Sequence, residues 1–461
     1  MAQLNRTRLA ALVACAVFST GVLAKASSED AAKLGAKGTP LTPVGAERAG
    51  NKDGSIPAWD GGITAPPSGY KVGMHHPDPF AGDKPEFSIT AKNYKDYAAK
   101  LSAGQIAMFE KYLDWKMAVY PTRRSASFPS RTYDMTMKNA ATGELIDDGE
   151  GVANVAEGFP FPILDKDPAK AGYEAIWNHK LKFKGVSFAR WNNQAIPTAS
   201  GQYTLERFRE EGLGLYYKPG NTLKDINNIL LYFFEDVVSP PRLAGQVLLV
   251  HETLDSKKEP RQAWIYNPGQ RRVRRAPNVA YDNPGTASDG MRTNDMTDMF
   301  NGALDKFNWK LVGKKELYVP YNSYTAHSDK TKVSDLIKPH FINPDLLRYE
   351  LHRIWVVEAT LKPGQRHINP RRTFYLDEDS WQILEIDHYD SEGKLWRYSE
   401  APSVNYYEVP VFWSTLECHY DLKSGRYLVQ GLDNQEQEYD FSFQTTPEMF
   451  SPQALRQRGI E

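Results

Sequence analysis

Cysteine is nearly absent from this chain, which has only Cys15 and Cys418 among 461 residues. Two cysteines cannot build a disulfide framework or a cysteine-based zinc site. An excess of charge of one sign is also missing, because 56 Lys and Arg residues stand against 57 Asp and Glu residues and give a formal net charge of −1. Non-specific binding of nucleic acid needs net or clustered positive charge, so this balance argues against it.

The chain also lacks the local motifs of the common enzyme classes. It contains no phosphate-binding loop and no Gly-x-Ser-x-Gly nucleophile elbow. His251 and Glu252 are not followed by a second histidine at the zincin spacing. A dispersed catalytic site stays open, since catalytic groups can come from distant positions. The sequence therefore predicts no catalytic residue, no metal site and no cofactor, and it favours a protein that is not an enzyme.

The histidines and one acidic run have plain structural interpretations. His75 and His76 could contact a metal, but adjacent side chains diverge in an extended chain, which favours an exposed loop. The acidic run 377–379 falls in a predicted hairpin turn, where it is expected to be solvated. Single histidines in predicted strands are usually structural, and four fit that description: His352, His367, His388 and His419.

The N-terminus has the order of features that is typical of a secretory signal peptide. Arg6 and Arg8 precede an apolar run that ends in small residues near Ala24. We therefore predict a signal peptide at residues 1–24 and a periplasmic mature chain. A lipobox around Cys15, with lipid anchoring at that residue, is the alternative. Cleavage at Ala24 would leave Cys418, which is expected to be buried in a strand.

Composition divides the rest of the chain in two. Residues 25–92 are rich in Gly and Pro and are predicted to form an irregular segment that wraps the molecule, with Ile56, Trp59 and Tyr70 as anchors. Residues 93–461 are predicted to form one β domain with helical insertions. Helices are expected at 93–120 and 169–182 from their apolar spacing, and a strand is expected at 131–138.

Paired strand patterns dominate the C-terminal half. Alternating runs separated by turn residues predict hairpins, and they lie at 262–266 with 271–275, 372–376 with 381–389, and 413–422 with 426–432. A long strand is predicted at 346–361. The predicted fold class is mainly β (α+β): a large curved antiparallel sheet or incomplete β-barrel with a helical lid, preceded by the irregular N-terminal segment.

Aromatic and methionine side chains are the candidate ligand-binding residues. On the sheet they either fill the core or line an apolar cavity, and in the segment 291–307 they form either a lid over the sheet or an ordinary packed helix. The candidates are Trp264, Tyr266, Met296, Met299, Phe300, Trp355 and Trp381.

Four arginines cluster on one predicted strand. Such a cluster is a docking surface for an acidic partner or a lipid headgroup, or else a solvated strand end. The residues are Arg271, Arg272, Arg274 and Arg275.

Several long runs carry a resemblance to a known family. The runs 263–277 (AWIYNPGQRRVRRAP), 281–285 (YDNPG) and 309–316 (WKLVGKKE) resemble an exported Gram-negative family of unknown function that is described as outer-membrane lipoprotein-sorting-like. The resemblance extends to 51–62 and 348–434. It implies a LolA/LolB-like fold and association with an outer-membrane β-barrel protein and an RND-type transporter, and it implies no catalytic residues.

These observations favour a periplasmic carrier for a lipophilic cargo, working in cell-envelope traffic. Two alternatives stay open: an exported hydrolase acting on a hydrophobic substrate, and a non-catalytic assembly subunit of an envelope complex.

Overall fold

The computed structural model describes residues 26–276 and 281–459. The predicted signal peptide and the lipobox at Cys15 lie outside the described residues. Within them, none of the helices is both long enough and apolar enough to cross a lipid bilayer.

Helices are short in the described part of the chain. The α-helices are α1 (Ser28–Ala31), α2 (Ala103–Lys111), α3 (Ser130–Thr142), α4 (Pro168–Lys180), α5 (Tyr324–His327), α6 (Val333–Leu336) and α7 (Pro452–Arg458). The described residues also contain short 3₁₀ segments, which are Tyr94–Lys100, Asp147–Gly149, Leu215–Tyr217, Asn294–Met296, Pro344–Leu346 and Pro447–Phe450.

Strands make up most of the regular structure. They are β1 (Phe87–Thr90), β2 (Lys116–Val119), β3 (Glu144–Ile146), β4 (Gly151–Ala153), β5 (Ser187–Trp191), β6 (Gln194–Ala195), β7 (Arg207–Leu213), β8 (Ile229–Ser239), β9 (Val247–Thr253), β10 (Gln262–Asn267), β11 (Arg272–Arg275), β12 (Phe307–Pro320), β13 (Tyr349–Leu361), β14 (Arg371–Asp377), β15 (Ile383–Tyr389), β16 (Leu395–Glu400), β17 (Ser403–Tyr406), β18 (Val411–Ser414), β19 (Glu417–Asp421) and β20 (Tyr427–Gln430).

Two sheets organise the molecule. The ten-stranded sheet has the order β1-β2-β13-β14-β15-β16-β19-β20-β6, with β12 also paired to β13, and the six-stranded sheet has the order β11-β10-β9-β8-β7-β5. All neighbours are antiparallel except β2 and β13, which are parallel. In the described residues neither order closes on itself, and the end strands β5 and β6 form single bridges, to Asp440 and Glu206 respectively. The predicted fold class, mainly β with a large open antiparallel sheet and few helices, is confirmed.

The predicted hairpins at 262–275 and 372–389 form as expected, whereas the strand predicted at 413–422 is divided into β18, which pairs with β17, and β19, which pairs with β20. Two further local predictions are wrong. Residues 131–138 lie in α3 and not in a strand, because the buried side chains Thr132, Thr136 and Asn139 recur at helical spacing. The helix predicted at 93–120 is divided. Ser102 caps α2 through a capping box, and the chain leaves the helix at Tyr112 to enter β2.

The N-terminal segment is mostly irregular and packs on the β domain. Ile56 and Trp59 are buried, and Tyr70 packs against the main hydrophobic cluster. Arg124 donates hydrogen bonds to the backbone oxygens of Glu47, Arg48 and Pro57. A guanidinium from the body of the protein thus satisfies carbonyls that have no sheet partners.

Candidate functional site

A cavity of about 120 Å³ lies against one face of the six-stranded sheet. Side chains alternate between the two faces of a strand. On β8, Leu231 and Phe233 point into the cavity, and on β9 Leu248 and Val250 do the same. The side chains between them pack on the other face, against the C-terminal residues Phe450 and Leu455. The alternation of side chains along β8 and β9 therefore places apolar residues on the side of the sheet that faces the cavity.

The roof of the cavity comes from the polar segment that follows β11. Asn294, Thr297, Phe300 and Asn301 line it. This segment contains the single 3₁₀ turn at Asn294–Met296, and so it is an irregular covering and not a regular helix. The remaining apolar wall is built by Phe188, Tyr217, Leu230 and Trp413.

Asp298 holds the roof segment to the body of the protein. Its carboxylate accepts hydrogen bonds from Lys182 Nζ at 2.6 Å and Lys184 Nζ at 2.9 Å, and from Trp413 Nε1 at 2.9 Å. Burial opposes ionisation of Asp298, but the two lysines outweigh it and lower the pKa of its carboxyl. Asp298 and Met299 both have positive φ, 52° and 62°. The ion pairs therefore fix the segment where its backbone is strained.

Two buried ion pairs stand in the cavity wall. Arg190 Nε lies 2.6 Å from Glu210 Oε2, and the Arg190 guanidinium also lies over the Trp413 ring at 4.7 Å. Arg261 Nε lies 2.6 Å from Glu252 Oε2. The cavity therefore combines apolar surface with two compensated charge pairs.

Glu235 is an acidic residue of the cavity wall that forms no ion pair in the described residues, and the charge of Arg292, which lines the same cavity, only partly offsets its burial. It is 7% exposed, and its Oε1 atom has no hydrogen-bond partner there. Burial, followed by the charge of Glu210, raises the pKa of Glu235 to about 7. At neutral pH this carboxyl is therefore about half protonated and can donate as well as accept a hydrogen bond.

A wider groove of about 570 Å³ adjoins the cavity. Glu235, Leu248, Thr286 and Asn294 line both spaces, so the cavity and the groove meet at these residues. The far side of the groove carries cationic side chains, namely Arg242, Arg274 and Arg275. An apolar pocket thus lies next to an arginine-lined groove and shares part of its lining.

The predicted sheet aromatics occupy other places. Trp264 and Tyr266 lie on the opposite face of β10, where they pack with Phe450, Leu455 and Gly459 of the C-terminal segment. They do not line the cavity, because the strand period points Ile265, and not its neighbours, to the groove side.

Trp355 and Trp381 also lie away from the cavity. Their rings stack 6.2 Å apart on the ten-stranded sheet, and Trp381 Nε1 donates a hydrogen bond to the Val44 oxygen of the N-terminal segment. Trp381 is fully buried and Trp355 is partly buried. Trp381 thus fastens the N-terminal segment, and neither tryptophan lines the cavity.

The three predicted residues of the roof segment are all buried. Phe300 lines the cavity, whereas Met296 and Met299 are packed inside with no exposed surface. The four arginines of the docking prediction are exposed, on and beside the edge strand β11. Arg274 and Arg275 line the groove, and Arg271 and Arg272 lie outside it.

Two expectations for charged groups are wrong. His76 is 2% exposed and not in an exposed loop, because Tyr70, Tyr406 and Tyr407 pack around its ring. The run 377–379 is buried and not solvated, because Arg124 and Arg353 supply countercharges. Neither environment has a local sequence signal, since the partners are distant in the chain.

Two buried groups have the residue types that bind metals. One is His76, His327 and Glu438, and the other is His352, Asp377 and Asp379. Neither lies on the cavity, whose lining in the described residues includes no histidine. The cavity therefore lacks the His–carboxylate pair that the hydrolase alternative requires.

Comparison with known proteins places the chain in a family. The family model described as "Protein of unknown function (DUF1329)" matches residues 88–456. The chain is 49% identical over 456 residues to the uncharacterized protein PA3922 of Pseudomonas aeruginosa, covering 97% of each chain.

Two solved structures show weaker similarity. A Vibrio parahaemolyticus domain, provisionally described as an outer membrane lipoprotein-sorting protein, is 12% identical, covers 62% of this chain and 99% of its own, and gives a TM-score of 0.44. The LolA superfamily protein NE2245 of Nitrosomonas europaea is 13% identical, covers 59% and 93%, and gives a TM-score of 0.36. The family predicted from the sequence is confirmed by the family model and by the Pseudomonas relative, and this chain belongs to the DUF1329 family.

Proposed function

We propose that this protein binds a lipophilic molecule with an anionic end and carries it within the cell envelope. The observation that supports this is that the apolar cavity adjoins the arginine-lined groove and shares four lining residues with it. An aliphatic chain would lie against Leu231, Phe233 and Val250, and each buried methylene would contribute about 0.8 kcal/mol. The anionic end would lie at Arg274 and Arg275, where a guanidinium can bind a carboxylate or phosphate with two hydrogen bonds.

Volume favours an occupant that spans both spaces. The cavity of about 120 Å³ is smaller than the roughly 300–1,000 Å³ of typical small-molecule sites, whereas the groove of about 570 Å³ lies within that range. The proposed binding mode therefore places part of an acyl or sterol-like body in the cavity and the remainder in the groove. The segment with Met296, Met299 and Phe300 serves as its roof.

The proposed location of the protein and its proposed partners rest on the sequence resemblance. The predicted signal peptide supports a periplasmic mature chain. An outer-membrane β-barrel protein and an RND-type transporter are the proposed partners in cargo traffic. The exposed Arg271 and Arg272 support a further role of the β11 edge in docking to an anionic membrane surface.

The test uses cis-parinaric acid, a fluorescent fatty acid, with the mature chain. Leu248 lies where the cavity and the groove share lining residues. Leu248→Trp should fill this space, and we expect the variant to bind the fatty acid at least tenfold more weakly. Leu113→Trp is the matched control, because Leu113 is 81% exposed, and it should bind within twofold of the wild type. Arg274→Gln with Arg275→Gln should weaken the acid more than the corresponding alcohol.

Two results would overturn the proposal. One is a wild-type chain that does not bind the probe after its native lipids have been removed. The other is equal binding by the Leu248→Trp and Leu113→Trp variants, with both confirmed as folded by circular dichroism.

A further inference from the structure

Two histidines and a glutamate from distant parts of the chain meet beneath the N-terminal segment. His76 belongs to an irregular loop, His327 ends α5, and Glu438 follows the last strand of the large sheet. All three are buried. His76 Nδ1 lies 3.3 Å from His327 Nε2 and 3.3 Å from Glu438 Oε2, and His327 Nε2 lies 2.9 Å from that same oxygen.

Two of these separations match the edges of a metal coordination tetrahedron, and the third, His327 Nε2 to Glu438 Oε2 at 2.9 Å, is a few tenths of an ångström shorter. Zinc bonds to histidine nitrogen and carboxylate oxygen are about 2.0–2.2 Å long, which puts tetrahedral ligand atoms about 3.3 Å from one another. Two histidines and one glutamate form a known zinc ligand set, which leaves a fourth position for water. The geometry therefore needs little rearrangement to hold a first-row divalent ion.

The outer nitrogens of both rings already have partners. His76 Nε2 lies 2.8 Å from Glu408 Oε2, and a carboxylate can only accept, so Nε2 carries the proton and Nδ1 of the neutral ring presents a lone pair. His327 Nδ1 lies 2.9 Å from Thr415 Oγ1. Outer-shell oxygens of this kind fix the tautomer and orientation of metal-binding histidines.

The negative charge around the cluster favours a positive group between the two rings. Glu408, Glu438 and Asp433 surround the two rings, and within the described residues their ion pairs are formed with His76 and His327. Asp433 is 1% exposed, lies 3.7 Å from His327 Nδ1, and has no hydrogen-bond partner for either carboxylate oxygen in the described part of the chain. A buried carboxylate without a donor is costly unless a nearby group is positive.

We propose that His76, His327 and Glu438 bind one divalent zinc-class metal ion, which fastens the loop around His76 to the body of the protein. Glu408 and Asp433 are the outer-shell carboxylates of this site. Such an ion would join three chain segments and so stabilise the folded state by the free energy of its binding.

The second cluster does not carry the same inference. Asp379 accepts hydrogen bonds from Arg124 on both of its oxygens, and His352 Nε2 is paired with Glu350. Arg124 therefore already supplies the positive charge there. This difference makes His352→Gln a useful control for the first cluster.

The experiment is a zinc titration of the mature chain after dialysis against EDTA, with cobalt(II) as a spectroscopic probe. We expect one zinc ion per chain, tetrahedral cobalt absorption bands, and an increase in melting temperature with added zinc. Affinity should rise with pH, because the metal must displace protons from the histidines. His76→Gln should weaken binding by more than a hundredfold.

Controls separate loss of a ligand from loss of the fold. His352→Gln, at a buried histidine of the other cluster, should bind zinc as the wild type does. If His76→Gln fails to fold, Glu408→Gln tests the site instead, with an expected loss of about 10–100-fold in affinity. The proposal is overturned if the folded wild type binds neither zinc nor cobalt at pH 7.5, which would leave a proton between the rings. It is also overturned if His352→Gln and His76→Gln bind zinc equally.

Discussion

Arg190 on β5 faces Glu210 on β7 directly across the six-stranded sheet, with Nε of the arginine 2.6 Å from Oε2 of the glutamate. Both residues are nearly fully buried, and Asn192 Nδ2 donates a second hydrogen bond to the same carboxylate at 2.8 Å. This cross-strand pair lies in the wall of the proposed cargo cavity, so it contributes both to the stability of the sheet and to the polarity of the site.

Removing the arginine of this pair should destabilise the folded protein. We expect Arg190→Gln to lower the free energy of unfolding by about 3–5 kcal/mol, because Glu210 is then a buried charge without its partner. Urea unfolding measures the change. Arg366→Gln, at an exposed arginine, should stay within about 0.5 kcal/mol of the wild type. A loss below about 1 kcal/mol for Arg190→Gln would contradict the prediction.

Glu235 should make stability depend on pH. Its pKa is about 7 in the folded state against 4.5 for an ordinary glutamate. Between these values the folded protein keeps a proton that the unfolded chain has lost, so this contribution to stability is complete below pH 4.5 and is lost as pH rises through 7. The total is about 3 kcal/mol at 1.36 kcal/mol per pKa unit.

Glu235→Gln, which mimics the protonated form, should therefore match the wild type at pH 4.5 and be more stable than it at pH 8, by up to about 3 kcal/mol. Urea unfolding at several pH values measures the difference. Glu392→Gln, at an exposed glutamate, should show no such trend. A constant difference between Glu235→Gln and wild type across this range would show that Glu235 ionises normally.

The edge of the six-stranded sheet should bind anionic membranes. We expect the mature chain to bind vesicles that contain phosphatidylglycerol, and Arg271→Glu with Arg272→Glu to weaken this binding at least tenfold, since each basic residue near such a surface contributes about 1 kcal/mol. Vesicle co-sedimentation at low and high salt measures it. Lys71→Glu with Lys84→Glu makes the same charge change at exposed sites elsewhere, and an equal loss there would exclude a specific role for the edge.

The thiol of Cys418 should be unreactive in the folded protein. It is fully buried in β19, and burial raises its pKa well above the usual range. We expect Ellman's reagent to modify the mature chain at least a hundredfold more slowly in buffer than in urea, because the thiolate is the reactive form. Fast modification in buffer would mean that this part of the large sheet opens readily.

Much of the sheet could be predicted because its signals are local. The hairpin β10–β11 is marked by Asn267, Pro268 and Gly269 between alternating runs, and the burial of Cys418 follows from its position in such a run. Residues 131–138 were predicted incorrectly because alternation over so few residues does not distinguish a strand from a helix whose buried face repeats every three or four residues.

The sequence by itself determined the hairpins of the C-terminal half such as β10–β11 and β14–β15, their turns and which of their side chains share a face, since these depend on neighbours two to four positions apart. Only the tertiary structure decided which face meets which partner. Trp264 and Tyr266 share a face by period, but the C-terminal helix covers that face and leaves the other to the groove. His76 meets partners 251 and 362 residues away, and that meeting arises from the packing of the whole chain.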